Sequence, residues 1–391
     1  MLTRQGSGAI GLAITSFVIG RLFGVLELIV LGAGIMALVL ACALWVYSRP
    51  ISLAVDRRVT PDSLRAGDNG RGELIITNST GFGTPPMSLW EPVSGMGGAT
   101  LKLAPMRRHE TVSANYRLPA LRRGTMLFGP LTVERRDPFG LYSKKRIAGG
   151  THEVLVLAAY HLLSLPSGMG GSGPLGDHIR SRALARNGSE FHALREYAEG
   201  DDLRFIHWRA SARSETLKVR QVEPEGLRHC TIELDTSASE YSPDGFERAV
   251  SAAASAVHAA TQAGLRLRMV LGVDTDLRNT TLAASMFVLA NCSTTDQPRS
   301  RGLNAPLSEG LGLTFVITGS PQSGAVRAAR LSLAPTDVLV IIACSSVNTD
   351  RHDFVINALD TASFVSSWSV LTGAHVPTGA RSNPAAAVVG A

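Results

Sequence analysis

The sequence contains few of the residues on which disulfide frameworks, zinc sites and nucleic-acid-binding tails depend. Its 391 residues include only four cysteines, which lie far apart and show no CxxC spacing. They predict free thiols in a reducing compartment. No run of five or six like charges occurs, and the net charge of +6 is small for this length. We therefore expect no nucleic-acid partner.

Charge is also missing from a long stretch near the amino terminus. Residues 28–47 read LIVLGAGIMALVLACALWVY, twenty positions without a charged side chain. This length matches the roughly 20 residues that a helix needs to cross a bilayer core. Gly32, Gly34 and Ala37 would allow close packing against a second helix. The stretch predicts a transmembrane helix.

A second apolar stretch, residues 6–22, precedes the first and predicts a transmembrane hairpin over residues 1–49. A single span and a cleaved signal peptide are the alternatives, although no small-residue cleavage site leads into a soluble start. Positive residues flank the two stretches on one side, which predicts that both ends and the soluble domains face the cytoplasm. These residues are Arg4, Arg49, Arg57 and Arg58.

Residues 50–156 show short runs of alternating polarity separated by Gly, Pro, Asn and Asp clusters, as in residues 73–77 and 131–134. Several short strands at this spacing predict a small antiparallel β-sandwich. The punctuation consists of turn signals, such as the Asp-Pro-Phe-Gly sequence at 137–140. No catalytic spacing occurs in this segment.

Residues 157–228 form a linker that contains a dense charged motif, in which acidic and basic residues alternate among aromatic ones. Alternation at close range indicates mutual ion pairing. Gly200, Asp201 and Asp202 predict a turn in which aspartates cap the amides of residues 203–205. Two or three helical turns and a strand over residues 217–222 should follow.

Two kinds of chemistry can be weighed for this motif. His192 and His207 are fifteen residues apart without a third ligand, which is poor spacing for a zinc site. Asp201 and Asp202 could act as general acid and base in a metal-dependent hydrolase or nuclease. However, adjacent side chains project in different directions and nearby arginines keep both ionised. We favour a salt-bridged scaffold or a partner-binding surface, with the hydrolase as the alternative.

Residues 229–376 alternate between apolar strands and helices, which predicts a parallel, doubly wound sheet. Residues 291–312 are interpreted as a surface loop and residues 377–391 as a flexible tail. The predicted strands are 229–234, 265–273, 313–318 and 338–343, and the predicted helices are 242–264 and 322–333.

Ligands of such sheets bind at the carboxyl ends of the strands, where Asp235, Ser237 and Ser239 would lie. One carboxylate and two hydroxyls are oxygen ligands suited to a divalent cation such as Mg²⁺. Helix capping by the same side chains is the other interpretation. The loop after residue 318, Gly319-Ser320, adds no acid.

The central motif resembles the signature of one bacterial family, the domain of unknown function 58 proteins. Upstream, residues 123–124, 129–130 and 137–141 also resemble segments of that family. The signature residues are Arg195, Glu196, Tyr197, Gly200, Asp201, Asp202, Arg204, Trp208, Ser211 and Arg213.

The resemblance implies an N-terminal transmembrane helical hairpin, a β-sandwich and an α/β von Willebrand factor A-like doubly wound domain. It implies that Asp235, Ser237 and Ser239 begin a metal-ion-dependent adhesion site. It also implies partnership with MoxR-type AAA+ ATPases and transglutaminase-like membrane proteins. We therefore expect a multi-pass protein of the bacterial cell membrane that is not an enzyme and serves a chaperone-like or assembly complex.

Overall fold

The computed structural model describes most of the chain and divides it into two compact units, residues 1–157 and 158–391. The predicted domain limits at residues 49, 156, 228 and 376 stay predictions, and the predicted tail, 377–391, lies outside the described residues. Described are residues 1–48, 50–61, 63–119, 121–165, 173–185, 191–222, 227–242, 244–272, 275–296, 311–333, 337–345 and 354–373.

Two antiparallel helices open the first unit, α1 (Arg4–Phe23) and α2 (Leu26–Tyr47). Both are long and apolar enough to cross a membrane. The hydroxyl of Thr3 accepts a hydrogen bond from the Gly6 N–H and so fixes the start of α1. A Cβ at Gly32 would lie 2.7 Å from the Ala13 carbonyl oxygen, whereas Gly34 has nothing within 4 Å. Gly32, and not Gly34, therefore permits the close approach of the helices.

The described residues of the first unit also include ten strands, which form two sheets that share one hydrophobic core. The first sheet is antiparallel, in the order β1-β3-β6; the second follows the order β2-β10-β7-β4-β8-β9, with β5 paired to β4. The strands are β1 (Leu53–Thr60), β2 (Leu64–Arg65), β3 (Gly70–Asn78), β4 (Met87–Val93), β5 (Gly97–Leu103), β6 (Thr111–Leu118), β7 (Gly124–Phe128), β8 (Thr132–Arg136), β9 (Ser143–Ile147) and β10 (His152–Leu157).

The start of α1 and the end of α2 both contact this strand module. The Thr3 N–H donates to the Leu141 carbonyl at 3.0 Å, beside the predicted turn at 137–140. At the end of α2, the guanidinium of Arg135 donates to the Val46 carbonyl, and the ammonium of Lys144 lies 5.1 Å from the centre of the Tyr47 ring. The start of α1 and the end of α2 therefore lie on the same side of the hairpin.

The second unit contains a two-stranded hairpin and a six-stranded sheet with helices. Its elements are α3 (Pro174–Ala185), β11 (Phe191–Glu196), α4 (Trp208–Ser211), β12 (Lys218–Val222), β13 (Leu227–Leu234), α5 (Gly245–Gln262), β14 (Arg266–Leu271), β15 (Thr275–Thr280), α6 (Leu282–Asn291), β16 (Leu311–Thr318), α7 (Gly324–Ser332), β17 (Asp337–Ala343), β18 (Phe354–Asn357) and α8 (Thr361–Thr372).

The larger sheet has the order β15-β14-β13-β16-β17-β18, and all its neighbours are parallel except β14 and β15. Helices cover both faces: α7 packs on the face that carries Val316, while Trp368 of α8 stacks on Phe315 at 5.2 Å. Burial on two faces explains why the central strands are continuous apolar runs.

Three expectations for this unit need correction. The sheet is not wholly parallel, because β15 returns antiparallel along β14. The helical segment after residue 206 is one turn, α4, instead of two or three, because the Ser211 hydroxyl accepts from the Lys218 N–H and joins the turn to β12. Residue 291 ends α6 and does not begin a loop.

Candidate functional site

The charged motif is built on the hairpin of β11 and β12. Their register places Glu196 directly opposite Lys218, and the Tyr197 N–H donates to the Leu217 carbonyl, so residues 197–217 leave and return at one end of the hairpin. A bridge between Ile206 and Val219 folds this segment back onto β12. Both of these side chains are buried. The signature is therefore a small folded unit and not an open loop.

The first ion pair of the motif joins Arg195 to Asp201. The guanidinium donates to both carboxylate oxygens, at 2.7 Å for Oδ2, and the Ala198 N–H donates to the same Oδ2 at 2.8 Å. These bonds lower the pKa of Asp201, with the Arg195 hydrogen bonds as the largest cause. Asp201 thus closes the turn after β11 and does not cap residues 203–205.

The second pair joins the cross-strand neighbours Glu196 and Lys218, whose Nζ and Oε1 are 3.0 Å apart. The Thr216 hydroxyl donates to the same oxygen at 3.2 Å. The hydrogen bond from Lys218 is the largest cause of the lowered pKa of Glu196. The expected mutual ion pairing is thus present.

Two further side chains act as caps. Asp202 accepts from the Arg204 N–H at 3.0 Å and starts a single 3-10 turn, as predicted. The Nδ1 atom of His207 accepts from the Ala210 N–H at 3.0 Å and so caps α4. The side chain of His192 lies outside the described residues. The structure therefore gives His207 a capping contact.

The motif also exposes apolar surface. Trp208 is 67% exposed and Leu203 62% exposed, so this short segment presents two large apolar side chains to solvent. Arg204, Arg209 and Arg213 are also exposed, and within the described part of the chain they form no ion pair. We call these five residues the exposed signature group. Its composition of tryptophan, leucine and arginine differs from an ordinary solvated face.

The second candidate site lies where β13 and β16 end. These neighbours sit at the point in the sheet where the chain order changes direction, which is where such sheets bind ligands. The buried Asp235 accepts from the Ser237 N–H at 3.0 Å through Oδ1 and from the Thr318 hydroxyl at 2.9 Å through Oδ2. Ser237 thus contacts Asp235 through its backbone, and Ser239 is exposed. Both carboxylate oxygens are satisfied by the protein.

Sequence reasoning missed three neighbours of Asp235. Thr318 bonds its carboxylate, and the Tyr241 hydroxyl donates to its carbonyl at 2.6 Å. Burial and then the charge of Asp235 raise the pKa of Glu240. These contacts depend on the order of strands in the sheet, which spacing alone does not reveal.

The geometry also explains why residue 319 carries no acidic side chain. A Cβ at Gly319 would lie 1.6 Å from the Glu240 carbonyl oxygen, so no side chain fits there unless the loop shifts. Among the described residues, no group of three His, Cys, Asp or Glu side chains could hold a metal ion. In the described structure, Asp235 therefore anchors the loop after β13 through hydrogen bonds.

Comparison with known proteins supports the family resemblance that the charged motif indicates. Residues 193–284 match the family model of proteins of unknown function DUF58. The uncharacterized protein YeaD of Bacillus subtilis is 25% identical over 181 residues, which cover 44% of this chain and 42% of YeaD. The matched segment thus spans less than half of that curated relative. Together the two matches support the DUF58 family.

Similarity to solved structures is low. The CARDB domain of the PF1109 protein from Pyrococcus furiosus matches with a TM-score of 0.22 and 14% identity, over 27% of this chain and 93% of that domain. The sporulation control protein Spo0M of Bacillus subtilis matches with a TM-score of 0.17 and 8% identity, over 37% of this chain and 59% of Spo0M.

Proposed function

We propose that this chain is a membrane-anchored assembly protein that binds a partner through the exposed signature group and does not carry out covalent chemistry. The observation that supports this proposal is that the motif uses its acidic residues within its own fold and presents apolar residues to solvent. Its acids Glu196 and Asp201 are engaged in ion pairs, while Trp208 and Leu203 are presented to solvent. Tryptophan and arginine are enriched among the residues that dominate the binding energy of protein interfaces.

The partner class that we propose is a MoxR-type AAA+ ATPase, with a transglutaminase-like membrane protein in the same bacterial assembly. The DUF58 match supports this choice through the resemblance stated above. The strand order of the large sheet, with its single antiparallel edge strand, supports a von Willebrand factor A-like interpretation. The shared core of the two sheets of the first unit supports a β-sandwich.

We propose further that α1 and α2 cross the bacterial cell membrane as a hairpin and leave the strand module of the first unit and the whole second unit in the cytoplasm. Support comes from the length and apolar composition of both helices and from Arg57 and Arg58 beyond α2. Arg49, the other flanking arginine, lies outside the described residues.

The test is direct binding between the full chain in detergent and a purified MoxR-type ATPase of the same organism. Replacing Trp208 by alanine should cost about 2 kcal/mol, or roughly thirty-fold in Kd, because it removes an exposed aromatic anchor. Phe287→Ala, an exposed aromatic on α6, is the matched control and should bind normally. Equal affinity of both variants, or no binding by the wild type, would contradict the proposal.

The hydrolase alternative has its own test. Asp201→Asn removes the charge that pairs with Arg195, so turnover that depends on this acid would disappear. We expect the purified wild type to show no nuclease or esterase activity in the presence of Mg²⁺. Activity that is lost in a folded Asp201→Asn variant would favour the enzyme.

A further inference from the structure

The outer face of the sheet β1-β3-β6 carries two arginines directly opposite each other. Arg71 of β3 pairs in register with Arg117 of β6. Both are exposed, and their neighbours Gly72 and Tyr116 face the core because successive residues of a strand point to opposite sides. The two guanidinium groups therefore leave the sheet on the same side.

This arrangement places two positive charges side by side without an ion-pair partner for either among the described residues. Like charges directly opposite in an antiparallel pair repel each other. Among the described residues, neither arginine forms an ion pair, and Glu73, two residues along β3, also forms none. Arg58, opposite Glu73, instead pairs with Asp56 at 3.7 Å. No ion pair formed by these two arginines among the described residues offsets the repulsion, and Glu73 is a single carboxylate beside two guanidinium groups.

The two arginines line a cleft of about 800 Å³. Thr60, Asn69 and Asn115 add hydroxyl and amide donors to its wall. Paired guanidinium groups with neutral donors around them match the oxygens of a phosphate, since arginine donates in a planar fork. We propose that this cleft binds a soluble ligand through a phosphate group held between Arg71 and Arg117. The site is independent of the partner surface proposed above.

The position of the cleft favours a phosphate group on a soluble molecule over a phosphate group on a lipid. Thr60 lies seven residues after Leu53 at the far end of β1, and α2 ends before Leu53. At ~3.3 Å per residue the strand spans roughly 20 Å, which separates the cleft from the end of the hairpin.

The experiment is isothermal titration of inorganic phosphate into the full chain in neutral detergent at low ionic strength, where screening is weak. We expect saturable binding that Arg71→Gln and Arg117→Gln each weaken at least ten-fold. Arg122→Gln, at an exposed arginine of the same module outside the cleft, is the matched control and should bind like the wild type. Glu73→Gln should tighten binding, because among the described residues it removes the one carboxylate that lines the cleft.

Thermal unfolding in chloride checks that the variants are folded. Both arginine variants should melt at or above the wild-type temperature, since each relieves the repulsion. No saturable binding by the wild type, or the same loss in Arg122→Gln, would overturn the site. Displacement of phosphate by phosphatidylglycerol micelles, dependent on Arg71, would overturn the soluble source and assign a lipid headgroup.

Discussion

Two carboxylates of the signature, Asp201 and Glu196, are each held by one cation. Arg195 is the main cause of the lowered pKa of Asp201, and Lys218 is the main cause of the lowered pKa of Glu196. A carboxyl whose pKa is lower in the folded state stabilises the fold above its unfolded pKa of about 4. This contribution is lost as the pH falls through the folded pKa. The turn should therefore loosen only in acid.

Replacing Arg195 and Lys218 one at a time tests whether the two ion pairs are independent. Arg195→Gln should raise the pKa of Asp201 towards its ordinary value and leave that of Glu196 unchanged, because each pair has its own donor. Lys218→Gln should do the reverse. Carboxyl chemical shifts followed by NMR over pH 2 to 6 measure both values. If each substitution moved both pKa values alike, the pairs would not be separate.

The Thr318 hydroxyl supplies a buried hydrogen bond to the Asp235 carboxyl, so its removal should be costly. Thr318→Val keeps the shape but leaves an acceptor unsatisfied, and the free energy of unfolding should fall by about 1 to 3 kcal/mol. Thr318→Ser, which keeps the donor, should lose less. Urea denaturation measures both.

Adding Mg²⁺ distinguishes the loop anchor from a metal site at Asp235. A ligand that binds the folded state raises its stability. We expect the wild-type melting temperature to be the same with Mg²⁺ as in EDTA. A magnesium-dependent increase that Asp235→Asn abolishes would contradict the anchor role.

At the scale of elements, α1 and α2 approach closely at two glycines, Gly20 near the connection and Gly32 within the pair. A side chain at Gly32 would meet the backbone at Ala13 and Phe17, whereas one at Gly34 would meet nothing. Gly32→Leu should force the helices apart, while Gly34→Leu should be tolerated. Disulfide cross-linking between cysteines placed on the facing sides of the two helices measures their separation. Equal cross-linking in both variants would show that the close approach is unimportant.

Elements with strong apolar patterns could be predicted from the sequence. The two long helices and the buried strands β13, β16 and β17 were predicted because their apolar runs are continuous. The edge strand β15 was missed because its sequence, TDLRNT, is mostly polar and, among the described strands, it pairs with β14 alone. Helix α6 was missed because an apolar run of ten residues does not distinguish a helix from a strand.

The candidate site could be predicted only in part. Alternating charges indicated ion pairs, but the pairing of Glu196 with Lys218 follows from a strand register that joins residues 22 positions apart. Likewise, the contact of Asp235 with Thr318 requires β13 and β16 to be neighbours. Long-range pairing is set by tertiary structure, which local patterns do not encode.

At the scale of the first unit, the start of α1 and the end of α2 both contact the same strand module. The Ser143 N–H donates to the Met1 carbonyl at 2.9 Å, and the ammonium of Lys144 lies 5.1 Å from the centre of the Tyr47 ring. A hairpin held in this way places its short connection, near Val25, at the opposite end. If the helices cross the membrane as proposed, only this connection reaches the far side.

Cysteine labelling tests this topology. In a chain whose four native cysteines are replaced by alanine, single cysteines are placed at Val25, in the connection, and at Ser48, after α2. A membrane-impermeant maleimide added to spheroplasts should label Val25→Cys and not Ser48→Cys, because positive flanking residues keep the ends of the hairpin in the cytoplasm. Permeabilised cells should label both, which controls for accessibility. Labelling of Ser48→Cys alone in intact spheroplasts would reverse the orientation, and labelling of neither would mean that the connection does not cross the membrane.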